Sequence, residues 1–200
     1  MTDKIIIKNT KDADGRTAGD DLTKERLYEA TEIHVNDVLR VMDWFGKQLH
    51  EIGLKHDYTK LGANFEEYSE VVLKGLSEEE FEQTNWCQRH YFEERHHVND
   101  QAWPDVNLLD ILEHIADIVT AGKGRAGHVA SKYCDINPIL LYRAYWNTIR
   151  LLDDIIVVSN AEELDSKTAR ATVNGENLDY DKSKEEGFLK TNLKRNDYIW

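Results

Sequence analysis

Two hundred residues, 40% of them hydrophobic and 32% charged, suffice for one globular domain with a core of its own. Twenty-five Lys and Arg against 38 Asp and Glu leave a formal charge of −13, a field that repels polyanions and excludes duplex nucleic acid as a partner. The two cysteines, Cys87 and Cys134, form no CxxC, and with no signal-peptide pattern and no apolar run near the ~18 residues of a membrane span they point to a reducing cytoplasm and no membrane.

Residues 1–22 join the β-branched run Ile5-Ile6-Ile7 to a polar, glycine-bearing stretch from Asp12 to Asp21, which predicts an edge strand or a loose N-terminal arm. From Thr23 to about Ile52, Leu27, Ala30, Val38, Val41, Phe45, Leu49 and Ile52 recur at helical steps, so an amphipathic helix is expected, ended by Gly53. His34 falls in the same stripe and is expected to face the core. A second helix is predicted from His56 through Val72, stopping at Gly75, with His56 and Asp57 in its first turn. Ser77 and Glu80 form a capping-box pattern for a third helix that carries Trp86, Arg89 and His90 and ends near His96-His97.

Asn107 is the expected cap of a fourth helix, Leu108 to Ala121, with Leu108, Ile111, Leu112, Ile115 and Val119 as its buried stripe. Asp117 lies beside that stripe, one turn from Glu113 and His114. A glycine-bearing surface turn, Gly122-Lys-Gly-Arg-Ala-Gly127, comes next; it lacks GxxxxGK[ST] and is no Walker motif. Asn137-Pro138 opens a fifth helix to about Val158, since proline suits the first helical position. The expected class is all-α, with a helical domain over 23–160. Residues 161–200 read as an acidic extension, flexible over 161–187, whose end regains Phe188, Leu189, Leu193, Tyr198, Ile199 and Trp200 to dock on the body or on a second copy.

His34, His56-Asp57, His90, His96-His97 and Asp117 supply, in that order, the imidazoles and carboxylates that hydrolytic divalent metals use. Over residues 30–121 this order resembles the HD-domain metal-dependent phosphohydrolases. His56-Asp57-Tyr58-Thr59-Lys60 is similar to the HDxGK signature of the two-metal branches, with Thr59 in the place of glycine, and His90 and His96-His97 resemble the histidines of the HD-GYP group. The chain has no Gly-Tyr-Pro and a much shorter gap from His90 to His96, which argues against cyclic-di-GMP hydrolysis. The spacing is closer to small HD proteins of phages and bacteria, which would place a phage-encoded chain in the host cytoplasm.

The resemblance implies an HD-like helical bundle and a minimal ligand set of His34, His56, Asp57 and Asp117 for one divalent ion, Mn²⁺, Fe²⁺, Co²⁺ or Mg²⁺. In the two-metal branches Asp57 would bridge to a second ion held by His90, His96 and His97, though the stretch from Arg95 to Asn99 could equally be a polar helix end touching substrate. Neighbours on a helix point about 100° apart, so His96 and His97 are not both expected on one ion. Lys60, in the place of the signature lysine and on the helical face of His56, is the implied partner of a substrate phosphate. Arg89, Lys123 and Arg125 are further candidates for holding an anion, and Glu66 and Glu67 for orienting water.

Two functions compete on this reading. The first is hydrolysis of a phosphate ester or anhydride of a small phosphorylated metabolite, foremost a nucleotide, with Asp57 and Lys60 as catalytic groups and water activated by the ion. The second is a non-catalytic metal- or nucleotide-binding protein that recruits a partner. A third reading needs no ion: an all-α core whose histidines make only hydrogen bonds.

Overall fold

The computed structural model describes residues 4–8, 23–99, 102–130 and 135–159. The polar part of the N-terminal arm, Cys134 and the acidic extension with its aromatic end lie outside the described residues, as do the expectations for them. Of the described residues 72% are helical and 5% are in strands, so the fold is all-α. No described helix is long and apolar enough to cross a membrane. The described residues fall into two compact units, one of residues 4–8, 23–48 and 149–159, the other of residues 49–99, 102–130 and 135–148.

In the first unit, strand β1 (Ile5–Lys8) pairs in parallel with strand β2 (Ile156–Ser159), with Ile5 opposite Ile156 and Lys8 opposite Ser159. The helix expected to reach Val158 therefore stops earlier. Four consecutive β-branched residues, Ile155 to Val158, favour extended backbone, and Ile5-Ile6-Ile7 supplies a matching partner. The long helix α1 (Lys24–Lys55) contributes residues 24–48 to this unit and buries Ala30 and Trp44. The expected stripe is only partly covered: Leu27 and Val38 are 42% and 47% exposed. His34 is exposed too, which corrects the expectation that it faces the core. Periodicity identifies one face of a helix but does not say which turns of that face are covered.

The second unit begins with the end of α1, which runs through Gly53; no positive φ or crowding breaks the helix there. The continuous helix predicted from His56 does not form. Asp57 adopts a left-handed conformation (φ 57°, ψ 29°), and two single 3₁₀ turns, Tyr58–Lys60 and Gly62–Asn64, precede helix α2 (Phe65–Val72). Aspartate is among the few non-glycine residues that enter this region readily. The capping box of Ser77 and Glu80 forms as expected, but helix α3 (Glu78–Glu82) is short. Thr84 then caps a separate helix α4 (Asn85–Glu93) by accepting from the Cys87 N–H at 3.2 Å. His96 and His97 consequently lie in the turn beyond α4 rather than on it, so helical spacing places no restriction on them.

Asn107 caps helix α5 (Leu108–Ala126) through a second capping box with Asp110. This helix continues five residues beyond the expected end, and Gly127 (φ 73°) closes it with a left-handed cap. Lys123 and Arg125 thus belong to its last turn, not to a loop. Gly122 suits its interior, because a Cβ there would crowd the His128 carbonyl oxygen at 3.0 Å. The buried face of α5 is Leu109, Asp110 and Ile111, while Leu112, Ile115 and Val119 are exposed, another correction to the predicted stripe.

Helix α6 (Pro138–Ile155) packs Leu140 and Ala144 with Val106 and Ile111. Its Thr148 hydroxyl accepts from the Leu108 N–H at 2.8 Å, and its Asn147 amide donates to the carbonyls of Pro104 and Val106. A second cluster joins Val71, Trp86 and Cys87 with Tyr68, Leu76, Phe81 and Tyr91.

Candidate metal centre

The turn after α4 is pinned to the start of α5 by a half-buried ion pair. Arg95 Nε and Nη2 donate to the two carboxylate oxygens of Asp110, each at 2.8 Å, and Asp110 also accepts from the Asn107 N–H. With Arg95 anchored there, His96 is 1% exposed and its ring centroid lies 4.4 Å from that of His56 and 4.3 Å from that of His97.

Thr59, 1% exposed, fixes the other side. Its backbone N–H and its hydroxyl both donate to Glu94 Oε1, at 3.0 and 2.8 Å. With its single proton committed to a carboxylate, the hydroxyl oxygen is left to accept from His90 Nδ1, 2.6 Å away. His90 therefore carries its proton on Nδ1 and presents the Nε2 lone pair inward. Burial first, then the Lys60 charge, pushes the His90 pKa down to about 4, so the ring is neutral. His56 is arranged in the same way: its Nδ1 is 3.0 Å from Glu113 Oε1, an acceptor, so Nε2 again faces inward.

The inward atoms converge on carboxylates. His56 Nε2 is 3.6 Å from both Asp57 Oδ2 and Asp117 Oδ1; His90 Nε2 is 3.7 Å and His96 Nε2 3.9 Å from Asp57 Oδ1. These gaps are too long for hydrogen bonds, yet shorter than twice a metal–ligand bond of about 2.0–2.2 Å. Three sets of side chains bring ligand atoms within 4.8 Å of one another: His56, His96 and Asp117; His90, His96 and His97; Asp57, His90 and Glu94. Asp57 Oδ1 is buried with the Lys60 ammonium 2.8 Å away, and His96 Nδ1, also buried, lies 3.3 Å from Glu113 Oε1. His90 Nε2 and His97 Nε2 are 2.8 Å apart, the distance of a hydrogen bond from a neutral His97 Nε2–H to His90 Nε2 or of two ligands sharing an ion. This donor set fits a divalent cation.

The electrostatics agree. Burial pulls the His96 imidazolium down, but Glu113, Asp117 and Asp57 outweigh it and raise the pKa above 6.5. Burial likewise lifts Asp57, and the Lys60 hydrogen bond and charge, with His56 and His90, overcome it and hold the carboxyl low. His97, buried first of all and then repelled by His96, is driven down to about 3. Lys60 reaches Asp57 through the 3₁₀ turn and not across a helical face: Nζ lies 2.8 Å from Oδ1 and donates to Oδ2 at 2.9 Å.

A cavity of about 620 Å³ opens on this cluster and includes Asp57, Lys60, His90, His97, Asp117 and Arg125 in its lining. The structure thus brings together His56, Asp57, Lys60, His90, His96, His97 and Asp117, with Arg125 on the cavity wall. Others stay apart. Among the described residues, the groups able to share an ion do not include His34. Arg89 is paired with Glu67 at 2.7 Å and Glu66 is exposed, and none of the three is in the cavity lining. Lys123 is exposed and donates to the Gly127 carbonyl at 3.3 Å. Sequence alone assigns no role at the centre to Glu113, Glu94 or Thr59. Glu113 has a legible signal, its four-residue spacing from Asp117 on one helix face; the other two depend on a turn no local pattern announces. Comparison of the chain with protein-family models, with curated proteins and with solved structures finds no match, so the chemistry of the centre rests on its donor set alone.

Proposed function

We propose that the second unit holds a divalent metal centre of the HD type and that the chain is a metal-dependent phosphohydrolase, acting on a phosphate ester or anhydride of a small phosphorylated metabolite, foremost a nucleotide. The observation that carries this reading is the shared orientation of His56 and His90. Each has its Nδ1 side taken by a hydrogen-bond acceptor and its Nε2 lone pair turned toward Asp57. An outer acceptor that sets the tautomer of an inner ligand is how metal-binding histidines are held.

In this reading His56, His96 and Asp117 would hold one ion, His90 and His97 would hold a second, and Asp57 would serve as a ligand beside both sets. His34 has no part in the ligand set. A divalent ion supplies Lewis acidity and lowers the pKa of water toward neutrality. The chain's own groups do the rest. Lys60, on the cavity wall beside Asp57, offsets charge on a phosphoryl oxygen, and Arg125 offers a second cation in the same cavity. Glu113 and Thr59 keep the imidazoles aligned.

The test is phosphate release from a panel of mono-, tri- and cyclic nucleotides with Mn²⁺, Co²⁺, Fe²⁺ or Mg²⁺. Release from at least one is expected. Silence across the panel with metal bound would leave a non-catalytic metal- or nucleotide-binding protein.

A further inference from the structure

Within the first unit helix α1 is apolar on two faces, and only one of them is covered. Ala30 and Trp44 are buried, with Asp37 and Val41 half-buried between them on the same side. About a third of a turn away, at roughly 100° per residue, Leu27, Tyr28, Val35, Val38, Leu39 and Met42 line up in a second stripe about 120° wide. Each of these six is between 42% and 65% exposed. They repeat as a heptad, with Tyr28, Val35 and Met42 at one position and Thr31, Val38 and the half-buried Phe45 at the other. That is the period of a helix that wraps around a second helix.

Area and local detail both mark the stripe as a contact surface. At roughly 100 Å² for each half-exposed side chain, the six leave on the order of 600 Å² of apolar surface open, the top of what monomers carry as one patch. Two such faces meeting would bury about 1,200 Å², enough for a stable interface. Thr31, the polar residue between Leu27 and Met42 on this stripe, donates its hydroxyl to the Leu27 carbonyl at 2.8 Å, so it enters a dry contact with its donor satisfied. Gly46 follows Met42 by four residues on the same face, and nothing lies within 4 Å of the place a Cβ would take. An interior glycine weakens a helix, and no crowding within the chain calls for one here; the close approach of a second helix does.

We infer that the chain forms a two-fold homodimer in which the α1 stripes of two copies pack antiparallel. The stripe is complementary to itself in that orientation. Tyr28 meets the partner's Phe45, Thr31 meets the partner's Met42, and Val35 meets the partner's Val38, while Leu27 comes opposite the open space at the partner's Gly46. The charges agree with the same orientation. Along one flank of the stripe the exposed Glu25, Glu29 and Glu32 precede the exposed Arg40, which also pairs with Asp37, and Lys47; Asp43 is the acid among the bases. Antiparallel packing sets the acidic half of one copy against the basic half of the other, whereas parallel packing sets acid on acid. The pairing lies in the first unit and needs neither ion nor substrate, so it stands apart from the phosphohydrolase reading.

The experiment is sedimentation equilibrium of the full chain at micromolar concentrations, which should give twice the 23.2 kDa of one chain. Val35→Glu, at an exposed position, should return the mass of the single chain with helical content unchanged by circular dichroism. In a two-fold contact each substitution acts twice, so the dimer should weaken at least about a hundredfold. Glu25→Lys tests the orientation: at low salt it should weaken the dimer about three- to tenfold, and adding Lys47→Glu should restore it. If Val35→Glu does not fold, this charge exchange decides. A parent of single-chain mass overturns the inference, whether its stripe stays bare or is covered by the aromatic end of the chain. So does a dimer indifferent to Val35→Glu, or a double variant no tighter than Glu25→Lys alone.

Discussion

Thr59 occupies the place of a glycine in the signature the chain resembles, and its side chain has a task there. One hydroxyl links Glu94 to His90 and sets the tautomer of the latter. Thr59→Val keeps the shape and removes that link, so it is expected to lower stability by about 1–3 kcal/mol and divalent-metal affinity by roughly 10- to 100-fold, read by thermal unfolding and metal titration. Unchanged metal affinity would make Thr59 a core residue only. Lys60→Met should leave metal content intact while lowering kcat/KM roughly 10- to 1000-fold, about 1.4–4 kcal/mol of transition-state stabilisation. A lysine that served only to pair with Asp57 would leave the rate unchanged. Six of the clustered residues, His56, Asp57, His90, His96, His97 and Asp117, are legible in the sequence because histidine is scarce and their order is distinctive. Glu94 is not, since the chain has 38 acidic residues and nothing local separates an acceptor behind a histidine from a solvated carboxylate; Glu113 is marked only by its spacing from Asp117.

At the scale of elements, the helices are legible as helices but not at their ends. Gly53, Gly122 and Gly124 lie inside helices that glycine is expected to end, because an interior glycine costs only about 1 kcal/mol and flanking residues carry the helix through. The stretch 56–64 reads as helix because its composition is helical enough, whereas the left-handed Asp57 breaks the run and turns its carboxylate toward three histidines. The turn 94–97 is held by Arg95 and Asp110, the latter 3% exposed. Asp110→Ala leaves the guanidinium only its contacts to the exposed Asp105 and removes a helix cap at once. With Arg95 about a third exposed, the expected loss is about 2–4 kcal/mol, checked by denaturant unfolding, and bound metal should fall with it as His96 and His97 lose their seat. Loss of stability with full metal retention would separate the turn from the centre.

Across the whole molecule, a formal charge of −13 makes concentrated positive charge at the cluster valuable, since an ion there relieves the mutual repulsion of Asp57, Glu94, Glu113 and Asp117. An ion bound by the folded state alone stabilises it by mass action, about 2.7 kcal/mol when free metal is a hundred times the Kd, so a chelator should lower Tm and added Mn²⁺ or Co²⁺ restore it. The division into two units is not legible in the sequence, because the apolar period of α1 continues through both. The most direct measurement is elemental analysis of the protein purified without added metal, beside its Asp57→Ala variant. A divalent centre requires at least about one bound divalent ion per chain in the parent and a clear loss in the variant, where the Asp57 carboxylate is gone. No bound metal in the parent, or equal content in both, contradicts it and leaves the histidines as hydrogen-bonding groups of an all-α core.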